Sequence, residues 1–79
     1  MYKYGVCNYD MDAYNPLVKN LALADSYEDA RKYYMDNMFI PNTYRIDPTL
    51  WIVWIEGNSI IQFEQLTTKV RTKIVDLDN

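Results

Sequence analysis

Apolar and polar positions alternate from the start of the chain. Tyr2, Tyr4 and Val6 stand against Lys3, Gly5 and Cys7, a period of two that predicts a strand over residues 2–9. A polar, turn-rich stretch follows, containing Asp10 and Asp12 and ending in Asn15-Pro16, a loop or element-start signal. Residues 17–24 admit two readings. As a strand, Leu17, Leu21 and Leu23 share a face with Lys19. As a helix, Asn15 is the N-cap and Pro16 the first helical residue, with Leu17 and Leu21 stacked at i, i+4. The strand is favoured because a fresh helix start follows at once.

That helix is predicted over residues 26–38. Ser26 is a good N-cap, and Asp29 stands three residues on, a variant of the capping box. Glu28 and Asp29 suit the positive end of the helix dipole, and Glu28 can pair with Lys32 at i, i+4. Ala30, Tyr33, Tyr34, Asn37 and Met38 form the stripe expected to face the sheet. Pro41 prevents continuation.

The run LWIVWIE, then Gly57-Asn58, then SIIQFEQL predicts a hairpin, with Gly first pointing to a type II′ turn. This register sets Ile55 opposite Ile60, Val53 opposite Gln62 and Trp51 opposite Glu64. The other face then holds Leu50, Ile52, Trp54, Ile61 and Phe63. A last strand over residues 69–75 alternates Lys69, Arg71 and Lys73 with Val70, Thr72 and Ile74. The tail over 76–79 is expected to fray. The predicted fold is α+β: a small antiparallel sheet in the order β-β-α-β-β-β with one helix packed on one face, residues 1–79 forming one domain. The alternative replaces the second strand by a helix.

Composition narrows the function. A chain of 79 residues buries only roughly 60 to 65% of its unfolded surface, so modest stability is expected. With one Cys there is no internal disulfide, and with no His there is no His-dependent triad and none of the usual zinc ligand sets. The apolar content of 49% excludes an unfolded polar chain. No apolar run approaches the roughly 18 residues of a membrane span, and the N-terminus lacks the apolar core of a signal peptide, so a cytoplasmic protein is expected. Net charge is −3, with neither half basic, which argues against simple nucleic-acid binding.

The chemical motifs are sparse. Asn8, Asp10 and Asp12 have the spacing that opens a calcium loop, but Ala13 and Lys19 occupy the positions that need Gly and a bidentate Glu. A solvated turn with Asx hydrogen bonds is the simpler expectation. Asp10 and Asp12 lack the cleft that a catalytic carboxylate pair requires. Cys7 has no base to activate it. Gly5 and Gly57 make no phosphate-binding loop. Lys69, Arg71 and Lys73 form a basic stripe of the kind that protects an edge strand. No catalytic residue, metal or cofactor is expected.

The informative feature is a surplus of apolar surface. One hairpin face suffices for the core under the helix, yet Trp51, Val53, Ile55 and Ile60 occupy the other. A one-helix protein cannot cover both faces. Either the Tyr-rich N-terminal segment folds over the second face, or that face binds a partner. All eight Tyr precede residue 45, and Tyr is favoured at interfaces. The partner-binding residues expected on this basis are Trp51, Val53 and Ile55 with the acidic and Tyr surface of Tyr9, Asp10, Asp12, Tyr14, Glu28, Asp29 and Asp36. Such a surface suits a basic partner and could imitate a nucleic-acid backbone.

In bulk character the whole chain is similar to small phage-encoded accessory proteins, including anti-CRISPR and other anti-defence inhibitors. The resemblance implies a short, acidic, non-enzymatic inhibitor or modulator of a larger, nucleic-acid-handling protein. Two alternatives come from the residues themselves. The chain could bind single-stranded nucleic acid, with Trp51, Trp54 and several Tyr stacking bases and Lys69, Arg71 and Lys73 tracking the backbone. It could also form a homodimer through Trp51 and Ile55.

Overall fold

The computed structural model describes residues 3–66 and 69–77. Tyr2, within the expected first strand, and residues 78–79 of the expected tail lie outside them. The elements follow the expected order: β1 (Lys3–Asn8), β2 (Lys19–Ala24), α1 (Tyr27–Asn37), β3 (Leu50–Glu56), β4 (Ser59–Gln65) and β5 (Lys69–Asp76). The strands form a five-stranded antiparallel sheet in the order β2-β1-β3-β4-β5. The fold is α+β.

Residues 19–24 are the favoured strand, with Ala24 opposite Tyr4 and Ala22 opposite Val6. Gly5 allows β1 and β2 to approach this closely: a Cβ there would stand 2.8 Å from the Ala22 carbonyl oxygen. Leu17 lies before the strand and is exposed.

The helix begins as its cap signal predicts. Ser26 has extended backbone, and its Oγ accepts from the Asp29 N–H at 3.1 Å. The buried stripe is narrower than expected. Ala30 and Tyr34 are buried, with Tyr27 and Met38 flanking them, while Tyr33 and Asn37 face outward. A straight helix lying on a twisted sheet touches it along only one narrow line.

The β3–β4 turn has Gly57 at φ 60 and Asn58 outside the positive-φ residues, in keeping with type II′. Ile55 pairs with Ile60 as expected, but a bulge then shifts the register. Val53 faces Phe63, Trp54 faces Gln62 and Ile52 faces Glu64. The pairs Val53–Gln62 and Trp51–Glu64 do not form, and Phe63 joins the face of Trp51, Val53 and Ile55. The extra residue, Ile61, puts Phe63 in the core and keeps Gln62 and Glu64 out of it.

Each face of the sheet carries its own core. Under the helix lie Val6, Leu50 and Ile52 against Ala30 and Tyr34. On the other face Cys7, Tyr9, Trp51, Val53, Ile55, Ile60 and Phe63 form a second cluster, closed by Met11, Val18, Leu21, Val75 and Leu77. The start of the tail is therefore tied down. Asp76 belongs to β5, and the Leu77 N–H donates to the Asn58 carbonyl at 2.7 Å.

Candidate interaction surface

The second sheet face is closed by the chain itself, which corrects its reading as an open partner site. Trp51, Val53, Ile55 and Tyr9 are each no more than 3% exposed. The segment after β1 folds back over the face, and Tyr9 holds it there. The Tyr9 N–H donates to the Thr49 carbonyl at 2.7 Å. Its own carbonyl accepts from Trp51 Nε1 at 2.8 Å. Its ring lies 4.9 Å from that of Phe63 and carries Lys73 Nζ at 5.2 Å on a face. Burial of this many large apolar side chains outweighs ordering one short loop. An isologous patch of Trp51 and Ile55 is therefore not presented. Cys7 sits in the same cluster, and burial pushes its thiol from 9.0 up to about 12, the mark of an inert structural thiol rather than a nucleophile.

The acidic residues are exposed, but they do not make one surface. Asp10, Asp12 and Tyr14 lie on the loop that covers the second face, with the Asp12 N–H donating to Asp10 Oδ1 at 3.0 Å in an Asx turn. Glu28, Asp29 and Asp36 lie on the helix, across the sheet from that loop. Asp29, Tyr33 and Asp36 fall at i, i+4 and i+7 and so share the outer side of the helix. Among the described residues, no group of three or more His, Cys, Asp or Glu is placed to hold a metal ion.

One row of exposed apolar side chains lies on the helix-bearing side beyond the helix's reach, while others, among them Leu17, Leu23, Met35 and Phe39, are exposed elsewhere. The helix packs on β1, β2 and β3. It meets β4 through the Tyr27 hydroxyl, which donates to Glu64 Oε2 at 2.6 Å. That bond is the first cause raising the Tyr27 phenol from 10.0 to about 12, with burial adding to it. Tyr4, Tyr27 and Trp54 stand edge-on or tilted to one another at 5.2 to 5.9 Å between ring centroids. They wall off the covered half of the sheet. Beyond the wall come the half-buried Gln62 and Glu64, and then Val70 and Thr72, which pair with Glu64 and Gln62 on the same side. Val70 is 54% and Ile74 73% exposed.

This apolar row was legible as an alternation in the sequence. What the alternation lacks is the strand order, which puts β5 at an edge, and the reach of α1, which leaves that edge bare. The other side of β5 is basic. Arg71 pairs with Phe63 on the Tyr9 side, and Lys73 lies over the Tyr9 ring. The side chain of Lys69 lies outside the described residues. Trp54 and the two cations therefore occupy opposite sides of the sheet, and Trp51 is internal. Among the described residues, Trp51 and Trp54 do not stand with Arg71 and Lys73 on one open surface.

Among the described residues, no helix is long and apolar enough to cross a membrane. No protein-family model matches the chain, and neither a curated protein nor a solved structure is similar to it.

Proposed function

We propose that this chain is a small acidic protein-binding module, an inhibitor or modulator that works by occupying the surface of a larger protein. The observation that carries this reading is the β5 edge, where Val70 and Ile74 are exposed on a strand with no neighbour on its outer side among the described residues. Arg71 and Lys73 protect one side of this edge, but Val70 and Ile74 stay bare on the other, and bare apolar side chains commonly mark interaction sites. The half-exposed ring cluster of Tyr4, Tyr27 and Trp54 lies on the same side, across Gln62 and Glu64 from this edge, and adds the residue types favoured in interface cores. The partner class suggested by the acidic balance and by the resemblance to anti-defence inhibitors is a nucleic-acid-handling protein.

The test is affinity capture with the tagged full chain from a nuclease-treated lysate of the organism that encodes it, run beside a Val70→Lys/Ile74→Lys variant with an unchanged circular dichroism spectrum. One stoichiometric protein held by the natural chain and lost by the variant is the expected result. Identical capture by both chains would overturn the assignment to β5.

A further inference from the structure

We propose that β5 docks an extended partner segment whose side chains alternate acidic and apolar, adding it to the sheet as a sixth strand. This rests on the protein-binding reading above and specifies the chemistry of the partner segment.

Among the described residues the strand order leaves one side of β5 without a ladder partner, so its outward N–H and C=O groups are a template for an incoming strand. An added strand sets its side chains about 5 Å from those of β5, alternately on the two sides of the sheet. On the Tyr9 side they meet Arg71 and Lys73, and on the helix side Val70, Thr72 and Ile74. Carboxylates suit the first side, where Lys or Arg would be repelled. Apolar side chains suit the second, where they cover Val70 and Ile74.

The same cations argue against a second copy as the occupant. Antiparallel pairing of β5 with itself about Thr72 sets Val70 opposite Ile74, which is favourable, but it also sets Arg71 opposite Lys73 twice. Centring the pair on Arg71 or Lys73 places like charges face to face at the centre. Registers slipped further shorten the ladder. The edge at the far end of the sheet, β2, is a weaker template. Asn20 there has a left-handed φ of 56 and the register shifts beside it, leaving the uncharged run Leu21, Ala22, Leu23 and Ala24 to select a partner. Asp12 lines the same hollow as Arg71 and Lys73 from the inner side, so it competes with an incoming carboxylate and moderates the affinity.

The experiment uses the full chain and two soluble eight-residue peptides, one alternating Glu with Val and one alternating Lys with Val. NMR reads shifts and hydrogen exchange at each amide. The Glu/Val peptide is expected to slow exchange at alternate β5 amides and to bind at least about tenfold more tightly than the Lys/Val peptide at low salt. That preference should shrink as salt rises. Arg71→Glu/Lys73→Glu should reverse the preference, Arg71→Lys/Lys73→Arg should keep it, and Asp12→Asn should strengthen it. Protection at β2, equal binding of both peptides, binding of neither, or a dimer in sedimentation that buries β5 would each overturn the inference. If neither peptide binds while lysate capture still depends on Val70 and Ile74, the sixth-strand mode fails and the protein-binding reading stands.

Discussion

The indole Nε1 of Trp51 donates to the backbone carbonyl of Tyr9 at 2.8 Å, across 42 positions of sequence. This bond joins the centre of the sheet to the loop that covers it. It satisfies the only polar atom of a buried indole, and it fixes where the chain turns after β1. Trp51→Phe keeps most of the apolar contact but leaves the Tyr9 carbonyl without its donor. A loss of about 1 to 3 kcal/mol in urea unfolding is expected. Trp51→Glu places a charge in the cluster with Val53 and Phe63 and should abolish cooperative folding. A well-folded Trp51→Glu chain would contradict the burial of this face.

Gly5 is predicted to resist the smallest possible substitution. Its pair partners are Leu23 on β2 and Val53 on β3. A methyl group would sit 2.8 Å from the Ala22 carbonyl oxygen and 3.3 Å from the Leu21 side chain. The first contact is with backbone, which moves only if β2 moves. Gly5→Ala should therefore cost about 1 to 3 kcal/mol in chemical denaturation, whereas an unstrained Gly→Ala change reduces unfolded-chain entropy and stabilises. A neutral result would mean that β2 gives way without loss.

Alkaline pH should unfold the protein in a window set by its buried acids. Cys7 is raised from 9.0 to about 12 by burial, and Tyr27 from 10.0 to about 12 chiefly by its bond to Glu64. Tyr34 is also raised, first by burial. Between each unfolded value and the corresponding folded one, the unfolded chain has released a proton that the native chain still holds. The unfolded state then binds fewer protons, so stability falls as pH rises. The contribution of these groups is fully present below about pH 8.5 and is lost progressively between pH 9 and 12. Unfolding free energies at pH 7, 9 and 10.5 check this. Cys7→Ala should flatten the decline, and Glu64→Gln should flatten its upper part by returning Tyr27 toward its ordinary value. A decline unchanged in both variants would assign it elsewhere.

Sequence reasoning recovers most of the framework because local rules and tertiary demands agree there. The Ser26 cap, the Gly57 turn and the period-two runs each carry their own signal, and each stands where the signal places it. The register of the hairpin is different. Gly57-Asn58 sets the pairing beside the turn, but one residue further on the demand to bury Phe63 and keep Glu64 out of that core inserts the bulge at Ile61. That demand is known only once both faces have cores. The same gap explains the misplaced surface. Counting one helix against two apolar faces shows that the second face needs a cover or a partner, but it does not decide that the Tyr9 loop closes that whole face. Nor does it show that α1 stops short of β4 and β5 on the other.

The last prediction concerns a buried hydroxyl. Tyr34 is fully buried under the helix, and among the described residues its Oη meets no partner at good hydrogen-bond geometry, although the Leu66 backbone lies close enough to oppose the rise that burial gives its phenol. The ring packs with Val6, Leu50 and Ile52, so its apolar part is needed there, while the hydroxyl has given up water for at best a poorly aligned backbone contact. Such an unpaired group typically costs about 1 to 3 kcal/mol. Tyr34→Phe removes the group and leaves the shape of the ring, so it should be neutral or stabilising by up to about 1 kcal/mol, against the usual destabilisation from a core substitution. Tyr34→Ala, by contrast, leaves a cavity and should cost about 3 to 5 kcal/mol. Thermal and urea unfolding of the two variants separate the contributions of ring and hydroxyl. A loss above about 1 kcal/mol in Tyr34→Phe would mean that the hydroxyl is hydrogen-bonded in solution, by a trapped water or by a rearranged backbone group.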